Sequence, residues 1–258
     1  MEHRLQVALV QTPLHWEAPG ENRRMLARKL KELASGVDLV VLPEMFTTGF
    51  TMFPENVPGS EGAATLAWMR HWANEKHVAL LGSIIYQEGH TYFNRLFFVE
   101  PNGKQYQYDK RHTFTLAGEH KKYERGTERI TITYKGFVIC PLICYDLRFP
   151  VWSRNTEHYD VLVYVANWPK PRINAWDALL KARAIENMAY AIGVNRTGED
   201  GNGHAYPGHS AAYDVLGKEL VFSRKEEILY TSLSLKKVQE HRKKLGFLED
   251  RDSFTLGG

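Results

Sequence analysis

"VDLVVLPE", residues 37–44, is almost wholly apolar until it closes on a proline and a carboxylate. A half-buried strand alternates polar and apolar positions, so an uninterrupted apolar run suits a strand covered on both faces, as inside an α/β sheet. Working backward, "ENRRMLARKLKELAS" (21–35) puts Met25, Leu26, Leu30 and Leu33 on one side of a helix, and "LQVALVQ" (5–11) reads as another strand. These make a β-α-β unit. Working forward, the alternation continues with a helix over "EGAATLAWMRHWANEK" (61–76) and a strand over "VALLGSIIYQ" (78–87), which favours a sheet with helical cover.

Beyond residue 87 the texture changes. "TYFNRLFFVE", the turn "PNG" and "KQYQYDK" alternate as a hairpin does, and antiparallel pairing is expected from there on. "RITITYKGFVICPLIC" predicts a second hairpin, "DVLVYVANW" (160–168) a buried strand, "NAWDALLKARAIENMA" (174–189) a helix and "YAIGVNRTG" (190–198) a strand. "HSAAYDVLG" and "ILYTSLSL" are strand-like, and a polar helix follows near 235–245. The expectation is an α/β protein, a mixed two-sheet sandwich with helices outside. No linker, repeat or low-complexity block divides the chain, so residues 1–258 are read as one domain.

At 258 residues the chain can bury roughly 70–75% of its unfolded surface, and 43% hydrophobic with 24% charged residues is ordinary for a soluble globular protein. A net charge of +3, spread among acidic residues, gives no nucleic-acid footprint, and "KKVQEHRKK" (236–244) reads as a solvated helix face. No run reaches the ~18–20 apolar residues of a membrane span, and the N-terminus enters a strand without a signal-peptide core, so a cytoplasmic protein with no membrane partner is expected. Cys140 and Cys144 share one extended segment, about 13 Å apart, too far for a disulfide. Neither has zinc-type partners.

Ligands of open α/β sheets bind beyond the carboxyl ends of strands. Three useful side chains close apolar or alternating runs: Glu44 in "VVLPEMF", Lys110 in "YQYDKRH" and Cys144 in "PLICYD". Together they suit acyl transfer. A free thiol is only slightly ionised at neutral pH and needs a base, which Glu44 would supply. Lys110 and the Tyr145 N–H would face the oxyanion. Taken singly, each residue also reads as an inert cysteine or a solvated strand end.

The ordered words "LPEMF", "YDKRHTF…AGEH" and "ICYDLRFP", with "VALVQTP", "ENRRML", "ARAIENMAYAIGVNRTG" and "GHSAAYDVLG" around them, resemble the nitrilase superfamily of carbon–nitrogen hydrolases over nearly the whole chain. The resemblance implies a four-layer αββα sandwich, a Glu44–Lys110–Cys144 triad, no metal or organic cofactor, and a homodimer formed through the sheet-covering helices, to which "FPVWSRNTEHY" (149–159) would contribute. It further implies that Glu119, in "AGEH", holds Lys110 and helps orient substrate, the alternative being a plain loop salt bridge.

Within the superfamily, "DKRHTFTLAGEHKKYERG" and the short chain look most like omega-amidases, which hydrolyse the terminal amide of 2-oxoglutaramate or 2-oxosuccinamate. Such a small-molecule substrate needs a cation and donors at its far end: Arg172 in "NWPKPRINAW", and groups around Phe114, Tyr145 and Trp168. Arg172 reads equally as an exposed loop arginine. Other branches of the chemistry (nitrilase, carbamoylase, aliphatic amidase) and a non-catalytic binding member are the alternatives, the short C-terminus weighing against filament-forming nitrilases. Val215 in "DVLG" replaces the proline common in relatives.

Overall fold

In the computed structural model, which describes residues 3–255, the chain runs β1 (Arg4–Gln11), α1 (Pro19–Lys31), β2 (Leu39–Val41), α2 (Glu61–Lys76), β3 (Ala79–Glu88), β4 (Thr91–Val99) and β5 (Gln105–Asp109). It continues through β6 (Ile132–Tyr134), β7 (Phe137–Ile143), the one-turn α3 (Pro150–Ser153), β8 (Val161–Val165), α4 (Ile173–Asn187) and β9 (Tyr190–Val194). The ribbon β10 (Thr197–Glu199) and β11 (Ala205–Pro207), then β12 (Ser210–Tyr213), β13 (Glu219–Ser223), β14 (Glu227–Ser234) and α5 (Leu235–Leu245) complete it. One six-stranded sheet has the order β14-β1-β2-β3-β4-β5 and the other β13-β12-β9-β8-β7-β6. β14 returns antiparallel along the full length of β1, from Arg4↔Ser234 to Gln11↔Glu227, and so joins the second half of the chain to the first sheet.

The period of two in the first sheet sorts its residues between two cores. Leu5, Val7 and Leu9 of β1, Ala79 and Leu81 of β3, and Leu96 and Phe98 of β4 belong to the core shared with the second sheet. Their alternates Ala8, Val10, Leu80, Ile84, Phe97 and Val99 pack under α1 and α2, against Leu26, Leu30, Leu66, Met69 and Trp72. Each such large side chain contributes about 1.5–3 kcal/mol by leaving water. In the second sheet all five residues of β8 are buried, with Trp176, Leu180 and Ala184 of α4 in the same cluster. The result is the expected α/β sandwich: helices, sheet, sheet, helix.

Several boundaries differ from expectation. The strand expected over 37–44 is only Leu39–Val41, because Pro43 has no N–H to extend the ladder. Those expected over 160–168 and 190–198 stop at Val165 and Val194, where the chain turns into loops that carry buried asparagines, Asn167 and Asn195. α1 starts earlier, on Pro19 at its first turn, and ends before Leu33. Antiparallel pairing throughout the second half is incorrect: β7, β8 and β9 are mutually parallel, since α3 with its flanking turns and then α4 provide crossovers. The hairpin β6–β7 does form, its two-residue turn Lys135-Gly136 having φ of 46° and 83°, as a primed turn requires. Among the described residues no helix is long and apolar enough to cross a membrane.

Candidate active site

Three strand ends of the two sheets meet at one cavity. After β2, Leu42 N still bonds Leu81 O at 2.7 Å, but beyond Pro43 the chain folds over β3, where Met45 N donates to Ser83 Oγ (2.9 Å) and Phe46 N to Ser83 O (3.1 Å). Gly82 makes room for this turn, for a Cβ there would stand 2.8 Å from the Phe46 ring and 2.9 Å from Leu42 Cβ. Glu44 is thereby fixed, fully buried, at the sheet's end. Lys110 leaves β5 with its N–H on Asn94 O (3.0 Å) and its carbonyl accepting from Gly126 N (2.9 Å).

Cys144 follows β7 at φ 43°, a left-handed conformation that residues bearing a Cβ rarely adopt and that here bends the chain abruptly. Asp146 holds the bend. Its Oδ2 accepts from Ile143 N (3.0 Å) and the Tyr108 hydroxyl (2.8 Å), and its Oδ1 accepts from His112 N (3.0 Å) and lies 2.8 Å from His112 Nδ1.

Lys110 Nζ lies 2.9 Å from Glu44 Oε1 and 3.0 and 2.9 Å from the two oxygens of Glu119. Asn94 Nδ2 donates to both carboxylates, to Glu44 Oε1 at 2.8 Å and Glu119 Oε1 at 3.2 Å. Asn167 holds Glu44 from the other side, its N–H on Glu44 Oε2 (2.8 Å) and its Nδ2 on the Glu44 carbonyl (2.6 Å). The carbonyl of Asn167 is in turn 4.0 Å from Cys144 Sγ, and the Glu44 charge acts on the thiol. Glu119 also accepts from Phe114 N at 2.5 Å.

Burial pushes the Cys144 thiol well above its usual value; the Glu44 charge adds to this and Lys110 opposes it. The resting sulfur is a protonated thiol beside a carboxylate able to take the proton. For Lys110, burial alone disfavours the ammonium, but attraction to Glu119 and Glu44 more than reverses this, so the cation persists. Glu119 is raised by burial and by the Glu44 charge, against the pull of Lys110. Two carboxylates share one lysine.

Cys144 and Lys110 open onto a cavity of about 360 Å³. Phe114, Tyr145, Trp168 and Arg172 all line it, and Glu44 and Glu119, though not lining it, both contact Lys110, so the structure brings every sequence-predicted site residue to one place. Arg172 is half-buried, with its guanidinium 5.0 Å from the Phe114 ring centre. The Tyr145 ring meets Phe114 edge-on at 4.9 Å.

Sequence reasoning missed Asn94, Asn167 and Arg148. Asn94 sits inside an alternating strand and Asn167 inside an apparent strand, where nothing marks an amide as special. Arg148, over the Trp168 ring at 5.0 Å, sits inside the motif "ICYDLRFP", where nothing in the pattern gives it a role of its own. The loop 200–204 also borders the cavity and carries no periodic signal.

Comparison with known proteins gives a consistent result. Residues 6–243 match the family described as carbon–nitrogen hydrolase. The chain is 43% identical over 256 residues to the omega-amidase YafV of Yersinia enterocolitica, covering 98% of each, and 29% identical over 250 residues to a 2-oxoglutaramate amidase of Bacillus subtilis, covering 95% of this chain and 96% of that one. The crystal structure of XC1258 from Xanthomonas campestris, a CN-hydrolase superfamily protein with an arsenic adduct in its active site, superposes with a TM-score of 0.95 at 42% identity over 99% of this chain and 100% of that one. With its four-layer sandwich of two mixed sheets and its extended likeness to these proteins, the chain belongs to the carbon–nitrogen hydrolase family of the nitrilase superfamily.

Proposed function

We propose that the chain hydrolyses the terminal amide of a small omega-amido acid, 2-oxoglutaramate or 2-oxosuccinamate, to the dicarboxylate and ammonia. The observation that carries this reading is Lys110 Nζ held between Glu44 and Glu119 at the floor of a cavity that also contains Cys144. As the thiol attacks the amide carbon, Glu44 takes its proton, so thiolate forms only as the carbon–sulfur bond does. Lys110 and the Tyr145 N–H stabilise the tetrahedral oxyanion. Glu44 then gives the proton to the amide nitrogen, the carbon–nitrogen bond breaks, and ammonia leaves a thioester. Water, deprotonated by Glu44, attacks the thioester carbon; the sulfur departs and recovers the proton. Glu119 holds Lys110 against the floor while Phe114, Tyr145 and Trp168 wall the acyl chain.

Arg172 and Arg148 offer positive charge to the substrate carboxylate within the same cavity. The names of the relatives support the choice of substrate. We further propose one hydrolase domain over the chain, a reducing cytoplasmic setting that suits two unpaired cysteines, and a homodimer. Val151 of α3 and Ile185 of α4, 52% and 46% exposed, are apolar residues an interface would cover, whereas Trp152 and Tyr159 of the 149–159 segment are buried within the subunit and are not available to it. Light scattering at micromolar concentration reads the dimer; a strict monomer contradicts it.

The function is tested by ammonia release from a panel of omega-amides, neutral amides, nitriles and N-carbamoyl amino acids. Omega-amides should be turned over best and Cys144→Ala should abolish turnover. Undiminished release by that variant would reject the mechanism, and preference for nitriles or carbamoyl compounds would reject the substrate.

A further inference from the structure

The ribbon β10–β11 carries a polar tip, residues 200–204, to one side of the cavity, where Asn202 and His204 share its lining with Arg148 and Arg172. Asp200 also borders the cavity, yet its oxygens are engaged within the ribbon and its tip. Oδ1 accepts from Asn202 N (2.9 Å) and His204 N (3.0 Å), and Oδ2 accepts from the Tyr206 hydroxyl (2.8 Å). A buried carboxylate occupied in this way organises the tip and leaves the exposed side chains of Asn202 and His204 to meet a ligand.

Three further contacts hold the tip against the body. Arg196, fully buried where β9 ends, donates from Nε to Thr197 O (3.1 Å) and from Nη2 to Leu14 O (3.2 Å) and Glu199 O (3.0 Å), with its guanidinium 4.6 Å from the Tyr206 ring centre. Gly201 lies flat on Trp16, so close that a Cβ would stand 2.5 Å from the indole. β11 packs beside the Lys170–Arg172 turn, so the tip and Arg172 are placed together. Burying a guanidinium whose hydrogen bonds go to carbonyls is costly and is explained if the ribbon must keep one position.

We propose that this tip is the specificity wall of the amidase. Asn202 and His204 donate N–H groups to the anionic far end of the omega-amido acid, beside Arg148 and Arg172, while Asp200 and Arg196 are positioning residues that act through them. The proposal rests on the amidase reading and adds the residues that select its substrate.

The test measures kcat and KM on 2-oxoglutaramate for the wild type and for Asn202→Ala, His204→Ala and Gly201→Ala. The first two remove one exposed donor each. The third keeps every donor and displaces the tip from Trp16. KM should rise about tenfold in each with kcat within about threefold of wild type, the pattern of lost substrate binding that leaves the chemistry intact. KM within twofold of wild type in both Asn202→Ala and His204→Ala, or a fall in kcat with KM unmoved, overturns the proposal. A wild-type enzyme that releases no ammonia from 2-oxoglutaramate overturns the amidase reading instead.

Discussion

Lys110 Nζ contacts both oxygens of Glu119, at 3.0 and 2.9 Å, but only one oxygen of Glu44, at 2.9 Å. The asymmetry divides labour between the two carboxylates. Glu119 spends its oxygens on Lys110, Asn94 and the Phe114 N–H, whereas Glu44, which shares Lys110 and Asn94 and takes the Asn167 N–H, places its charge where the Cys144 thiol feels it.

Replacing Glu119 by Gln removes the ion pair and keeps the shape. Turnover should fall roughly tenfold to a hundredfold as Lys110 loses its fixed place. Because the Glu119 carboxyl is raised above its ordinary 4.5, the stability linked to its proton is fully present below that value and is lost as pH rises through the folded-state value. Urea unfolding over a pH series should therefore show the wild type losing ground to Glu119→Gln as pH increases. A difference that does not change with pH contradicts this.

Glu44→Gln should separate two properties of the same thiol. Amide turnover should drop about 10²–10⁴-fold with the base gone. The negative charge that helps hold the proton on sulfur is gone too, while Lys110 remains, so the Cys144 thiol should ionise more readily than in the wild type. A small uncharged alkylating reagent at neutral pH should thus react faster with the inactive variant. Slower alkylation would contradict this and show that Glu44 acts on the sulfur more as a proton acceptor than through its charge.

Asp146 does not line the cavity, yet it ties the bend that carries Cys144 to the segment after β5, accepting from Ile143 N on the bend and from the Tyr108 hydroxyl and His112 N beside it. Asp146→Ala leaves several buried donors without an acceptor and should destabilise the protein by about 2–5 kcal/mol. Asp146→Asn, which keeps an oxygen there, should cost less. Urea midpoints compare the two, and equal losses would contradict the acceptor role.

The sequence showed most clearly what repeats. α2 was legible to the residue because its core side chains recur at helical spacing, and β1 because its alternates face two different cores. The catalytic types were legible because each closes such a pattern. Asn94 was not, since its role depends on Glu44 and Glu119 arriving from fifty residues before and twenty-five after. The β10–β11 ribbon was hidden for a different reason: three-residue strands joined by a polar, Gly-containing tip bury few side chains and have no period, and their place is set by Arg196 and Trp16. The parallel β7–β8–β9 arrangement follows from crossovers whose geometry is set by packing of α4, which no local pattern encodes.

Cys140, four residues before Cys144, provides the internal control for the central claim. It is sealed in the core and burial pushes its thiol up to about 12, whereas Cys144 opens on the cavity. Mass spectrometry of peptides from enzyme quenched in acid during turnover of 2-oxoglutaramate tests the claim directly. The acyl group should be found as a thioester on Cys144 and absent from Cys140; an acyl group on Cys140 instead, or sustained turnover in Cys144→Ala, contradicts the account.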